Sequence, residues 1–308
     1  MTQPEVLVVG EALIDVVTYP DGRIAESPGG SPANVALSLG RLGTGCRLLT
    51  ALGSDDRGSR IRRWLGESGV DVGSAVVDRT ATSTARLAAD GSATYDFDID
   101  WRLTDAGDVS EAGIVHTGSI AAVRKPGAEA VRALLGRARP HALLTYDPNV
   151  RPALLDDHER AVHDIEVLVA LCDVVKASDE DLRWLYPSRD PLAAAEVWRD
   201  SGPSIVVVTR ADEGATALTP RHRVSVDGPR VEVADTVGAG DAFMGALIHG
   251  MLGEGFSDAG AREALKGIGR SELSRLLSFA TSAAAVTVSR PGADPPRITE
   301  LAPLPFEN

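Results

Sequence analysis

Val6-Leu7-Val8-Val9 runs without a polar break into Gly10, and Ile205-Val206-Val207-Val208 does the same between Ser204 and Thr209. A strand with one face in water alternates apolar and polar side chains, whereas a short run apolar at every position suits a strand covered on both faces. Further strand ends lie from Ile114 to Ser119 and from Leu143 to Asp147, with helical patterns between them, one over 126–138 and one ending near Leu171. Strand and helix in alternation lead to an α/β fold, a mainly parallel sheet with helices on both faces. The 308 residues suffice for one large domain, and 44% hydrophobic content with 4% aromatics suits such a helix-covered sheet. The alternation breaks near the strand-like pieces Ala75–Val77, Ala85–Ala88 and Thr94–Phe97, with an Asp90-Gly91 turn. These point to a few antiparallel strands standing apart from the main sheet.

A net charge of −13 argues against a nucleic-acid partner, which would need clustered Lys and Arg. No 18-residue apolar stretch occurs and Met1-Thr2-Gln3-Pro4-Glu5 lacks the basic start of a signal peptide, so a cytoplasmic protein without a membrane partner is expected. Cys46 and Cys172 are too isolated for a disulfide framework or a zinc site and read as reduced, buried residues.

The chemistry concentrates in Asp235-Thr236-Val237-Gly238-Ala239-Gly240-Asp241, after the β-branched Val231 to Val233 and before a helical pattern at Phe243, Ala246, Leu247 and Met251. Two glycines around one alanine turn the backbone tightly and leave consecutive N–H groups open at a helix N-terminus, where an anion is favoured. Asp241 at that turn would repel a merely bound phosphate. It fits phosphoryl transfer to a hydroxyl: the amides stabilise the transferring group while the carboxylate takes the proton. Read structurally, Asp241 is a helix N-terminal residue worth about 0.3–1 kcal/mol.

In Pro28-Gly29-Gly30-Ser31-Pro32-Ala33-Asn34, Ser31 reads as an N-cap and Pro32 as the first helical residue, with Gly43 closing the helix. Gly29 and Gly30 permit close backbone approach to a ligand, and Asn34 offers a donor and an acceptor from the first turn. Asp15 stands among apolar neighbours after the first strand; Asp147, Asn149 and Arg151 lie beyond the end of another, where α/β sheets bind ligands. His116 reads as structural. Ser178-Asp179-Glu180-Asp181 reads by itself as a capped helix start. The Pro-rich end, Pro295 to Pro305, reads as a loosely packed tail.

The Asp235–Asp241 and Gly29–Asn34 runs, in this order, resemble the two signatures of the ribokinase-like (PfkB) carbohydrate kinases, and Gly-Gly-Ser-Pro-Ala-Asn-Val-Ala is most similar to the fructokinase spelling. The resemblance spans about residues 5–296. It implies a kinase domain over 1–297, a small β lid from about 11–20 and 75–104, and a tail at 298–308. It implies an ATP-dependent sugar kinase, with Asp241 as base and an anion hole at Gly238, Ala239 and Gly240. Asp15, Gly29, Gly30 and Asn34 would hold the sugar, with Tyr95, Phe97 and Trp101 on the lid face and Arg151 reaching the substrate or its phosphate. Ser178, Thr209, Gly214 and Thr281 would neighbour the nucleotide. Asp181 would serve the Mg²⁺–phosphate group and Asp235 a monovalent cation such as K⁺. The chain departs from the family pattern at Asp181, where Glu is usual, at Ala211, where Gly often sits, and at Thr281 or Ser282, where Asn is common. Among substrates, 2-keto-3-deoxygluconate, ribose or a nucleoside are the alternatives to fructose, and a non-catalytic sugar-binding module is the alternative class. A homodimer through the lid is compatible with the family. The dinucleotide and P-loop fingerprints are absent: Gly10 is followed by Glu11-Ala12-Leu13.

Overall fold

The computed structural model describes residues 5–88, 93–103, 109 and 112–302; the expected Asp90-Gly91 turn and the end of the tail lie outside them. Among these residues the strands are β1 (Val6–Val9), β2 (Leu13–Thr18), β3 (Ile24–Gly29), β4 (Cys46–Gly53), β5 (Asp71–Val77), β6 (Thr82–Leu87) and β7 (Ala93–Asp98). They continue with β8 (Ile114–Gly118), β9 (Leu143–Asp147), β10 (Val174–Ser178), β11 (Ile205–Thr209), β12 (Ala215–Leu218) and β13 (Arg223–Val226). The α-helices are α1 (Ser31–Arg41), α2 (Asp56–Gly66), α3 (Ser119–Val123), α4 (Gly127–Ala138) and α5 (His158–Leu171). After them come α6 (Asp179–Leu185), α7 (Pro191–Ser201), α8 (Ala239–Gly253), α9 (Arg262–Lys266) and α10 (Arg270–Val288).

The main sheet has the order β13-β12-β11-β10-β9-β8-β1-β4-β5. From β11 to β5 every neighbouring pair is parallel, and only the β11–β12 and β12–β13 pairs at the edge are antiparallel. The all-apolar runs are covered on both faces, as their pattern requires. Val6, Val8, Ile205 and Val207 join one core with α1, α2, α8 and α10, while Leu7, Val9, Val206 and Val208 join another with α4, α5 and α7.

A second sheet, β3-β2-β6-β7, stands apart. Its β2–β3 and β6–β7 pairs are antiparallel but β2–β6 is parallel. Ala75–Val77 is not in it. These residues end β5, parallel to β4 at the edge of the main sheet, because the amphipathic α2 between the two strands forms an ordinary crossover. The place expected for that piece is taken by Ile24–Gly29, folded back on β2 through a turn in which Tyr19 N–H donates to Arg23 O. Trp101 is also elsewhere: it is buried in the main core, its indole N–H donating to Ala121 O at 3.0 Å, against Gly127 at the start of α4. Val231 to Val233 forms no strand and is exposed. Pro295 and Pro296, expected in a loose tail, are buried, and Arg41 Nη1 bonds to Pro295 O.

Candidate active site

At the N-terminus of α8, Gly238 adopts φ +78, a left-handed conformation that suits glycine, and no side chain caps the helix. The N–H groups of Gly240 and Asp241 donate to no described group, so the first turn presents open amides. A side chain at Gly240 would meet Lys176, since a Cβ there would stand 2.8 Å from its Nζ. Lys176 is buried and pairs at 2.8 Å with Asp147, which is inaccessible to solvent. Burial lifts the Asp147 pKa to about 6 against the pull of the ammonium; burial pulls that of Lys176 down, but Asp147 with the charges of Asp181 and Asp241 raises it overall. At neutral pH the pair is charged, with its positive end against the open helix turn.

Asp241 is itself 6% exposed and accepts three hydrogen bonds. Ser31 Oγ donates to Oδ1 at 2.6 Å, Asn34 Nδ2 to Oδ2 at 2.8 Å, and Asn149 Nδ2 to Oδ1 at 3.4 Å. Two helix N-termini therefore face each other across one carboxylate. Ser31 is not the N-cap expected of it: Gly30 holds that position, and the Ser31 hydroxyl crosses to Asp241 instead.

Gly30 takes φ +101 and touches the β1–β2 connection, where a Cβ would lie 2.6 Å from Glu11 O. A Cβ on Gly29 would collide with the Asp15 carboxylate. The two glycines thus let the β3–α1 corner close over Asp15 and Glu11. Burial lifts the Asp15 pKa to about 6, with a hydrogen bond from Ser83 opposing and the charge of Asp241 adding to the rise. Burial lifts Glu11 to about 7, although Ala121 N–H donates to it at 3.0 Å and Ser119 also bonds it. Arg151 supplies positive charge to both carboxylates. Its Nη1 donates to Asn149 Oδ1, Asn149 O and Val150 O, while Nε and Nη2 have no acceptor among the described residues.

The residues expected around nucleotide and metal are less open. Asp181 accepts from Ser178 N–H and Ser178 Oγ while its own N–H donates to Ser178 Oγ, the capping box of α6, and its other oxygen accepts from Val150 N–H. Both its oxygens are engaged, and among the described residues no three acidic, His or Cys side chains gather to hold a metal ion. This set does not fit a metal bound directly by protein side chains; it fits Mg²⁺ that keeps its waters and rides on substrate phosphates. Asp235 joins two loops, accepting from Val237 N–H and Gly292 N–H. Thr209 stands at the end of β11. Gly214 turns the chain into β12 at φ +87 where a Cβ would strike Val226 O, a structural need for glycine. The Thr281 hydroxyl bonds back to Leu277 O and Ser278 O within α10. Tyr95 and Phe97 stack at 6.4 Å between centroids on β7, Tyr95 exposed and Phe97 half-buried. His116 is a core residue bonded to Thr145 Oγ1, its pKa lowered to about 3 by burial and by Lys176.

Sequence reasoning singled out neither Glu11, nor the Asp147–Lys176 pair, nor the contact of Ser31 with Asp241. Asn149 was visible in Asp147-x-Asn149-x-Arg151, but nothing in the spacing says which way its amide points.

The family model for pfkB family carbohydrate kinases matches residues 3–300. The chain belongs to this family. It is a phosphotransferase acting on a sugar. Among pfkB kinases it is 35% identical to a fructokinase of Rhizobium leguminosarum bv. trifolii, over 79% of this chain and 78% of that one. It is 33% identical to fructokinase-1 of Oryza sativa subsp. japonica, over 95% and 94%. A fructokinase of Xylella fastidiosa solved with bound ATP superposes with a TM-score of 0.84 at 28% identity, covering 96% of this chain and 95% of that one.

Proposed function

We propose that this pfkB kinase is an ATP-dependent fructokinase in which Asp241 takes the proton of a primary sugar hydroxyl as the oxygen attacks the γ-phosphorus of ATP, releasing ADP. The observation that carries the reading is the buried Asp241 carboxylate in the same helix turn as the open amides of Gly240 and Asp241. An alcohol and a phosphoryl group meeting there find a base and an anion hole within one turn. Asp15, Gly29, Gly30 and Asn34 orient the sugar, and Lys176 places positive charge behind Gly240 where the phosphoryl charge develops. Bound Mg²⁺ would neutralise the phosphate charges. The fructose assignment rests on the relatives named fructokinase and on the Gly29–Asn34 spelling. K⁺ near Asp235 and a dimer through the small sheet, where Ile24 and Tyr95 are exposed, belong to the same reading.

A second reading, a 2-keto-3-deoxygluconate kinase, is favoured by the uncommitted Nε and Nη2 of Arg151, a fork suited to a carboxylate. ADP release with Mg-ATP across fructose, 2-keto-3-deoxygluconate, ribose, glucose and adenosine, with and without K⁺, separates the two. Fructose preference is the expected result; preference for the acid sugar moves Arg151 to the role of carboxylate clamp. Asp241→Asn is expected to lower kcat by about 10²–10⁴-fold. A folded Asp241→Asn enzyme turning over near the wild-type rate would remove the assignment of the base.

A further inference from the structure

Asn149 follows β9 at φ +36, a left-handed conformation that a non-glycine residue holds only where surrounding contacts enforce it. Three contacts do so. Its N–H donates to Asp147 Oδ1 at 3.2 Å, its Oδ1 accepts from Arg151 Nη1 at 2.6 Å, and its Nδ2 reaches Asp241 Oδ1 at 3.4 Å. A guanidinium only donates and an ionised carboxylate only accepts, so one amide orientation satisfies both neighbours: oxygen toward Arg151, nitrogen toward Asp241. The contact to Asp241 is at the long end for such a bond. Asp147, which accepts the backbone N–H, is in turn clamped by Lys176 beside Gly240. Asn149 therefore meets the Arg151 guanidinium, the Asp241 carboxylate and the ion pair behind the open amides.

We propose that Asn149 is a positioning residue: its amide fixes the Arg151 guanidinium and the Asp241 carboxylate relative to each other, so that both charged groups are set by one side chain. This rests on the reading of Asp241 as the base. A purely conformational role, supplying a residue that tolerates φ +36, is the alternative, and glycine separates the two because it keeps the backbone and removes the amide.

The test is steady-state kinetics on Asn149→Gly, Asn149→Asp, Arg151→Ala, the Gly/Ala double variant and Asp241→Asn, with thermal melts on each. Asn149→Gly should melt no lower than wild type, lose on the order of 10–100-fold in kcat, and change KM for ATP by less than about threefold. Arg151→Ala should cost less in the Asn149→Gly background than in the wild type, because the guanidinium has already lost its anchor. Wild-type kcat in folded Asn149→Gly, or losses that multiply fully in the double variant, would overturn the proposal. Should Asn149→Gly fail to fold, Asn149→Asp carries the test: it tolerates the same backbone but cannot donate to Asp241, so its kcat should fall at least as far, and wild-type kcat would overturn the link. Asp241→Asn keeps the two levels apart. If it is inactive while Asn149→Gly is normal, only the positioning role fails; if it turns over normally, the base assignment fails.

Discussion

Ser119, Asn149 and Ala211 are the described non-glycine residues with positive φ, at +53, +36 and +42. They follow β8, β9 and β11 respectively, all at the carboxyl edge of the parallel strands. This is the edge at which α/β sheets generally bind ligands, and at two of the three positions a polar contact accompanies the strain: Ser119 bonds Glu11 and Asn149 bonds Arg151 and Asp241. Ala211 is exposed and has no such side chain, so Ala211→Gly should stabilise the fold by up to about 1 kcal/mol, read as a rise in the denaturation midpoint at constant m-value. Glu11 carries a different cost. Folded, it keeps its proton until about pH 7, whereas its ordinary value is 4.5. Between those values the folded chain holds the extra proton, so stability falls as pH rises. Glu11→Gln should remove that slope, and its Tm advantage over wild type should grow from pH 5 to pH 8, worth up to about 3 kcal/mol by linkage. An advantage independent of pH would count against the buried-acid reading. Neither residue could be picked out from its neighbours in the chain: Glu11 follows a strand and a glycine as any loop acid might, and its burial depends on α3 arriving from more than a hundred residues away.

Between elements, the decisive contact is α1 against α8. Gly245 lets the helices close, since a Cβ there would lie 2.6 Å from Ser38 Oγ and 3.2 Å from Val35 O. Those same helices bring Ser31 and Asn34 to Asp241. Gly245→Ala should therefore cost about 1–3 kcal/mol through overpacking and also lower kcat, because the helices separate along the whole face. Loss of stability with unchanged kcat would uncouple the two. The bounds of α1 were legible to within a residue, with Pro32 in its first turn and Gly43 following it, because local chemistry sets helix ends. Its partner was not, because a glycine inside a helix looks like a weak point until the neighbour it admits is known. The same limit explains β5. Ala75–Val77 has the composition of a strand in either sheet, and only the crossover through α2 assigns it to the large one. The Asp241 turn and both glycines before α1 were found because their backbone demands are written in residue type; the donors that meet Asp241 were not, since long-range side-chain partners leave no period in the chain.

Across the molecule the two edges of the main sheet do different work. The carboxyl edge holds the proposed site; at the other, Asp173 just before β10 accepts Arg262 Nε at 2.6 Å and Leu144 N–H at 2.8 Å, tying α9 to the strands. Asp173 is buried and Arg262 only partly so. Asp173→Ala should cost about 2–4 kcal/mol, allowing for solvent at the arginine, and leave kcat of the folded enzyme unchanged. A fall in kcat without a fall in Tm would contradict that division. The long reach of the site has one more consequence, for the order in which a growing chain acquires activity. Ser31 and Asp241 are 210 residues apart in sequence. A nascent chain can pair β1 with β4 soon after both have left the ribosome, yet Ser31 and Asn34 have nothing to close upon until α8 emerges. Most of the polypeptide is made before the pocket can exist, so a chain released early is a folded scaffold at most and never a slow enzyme.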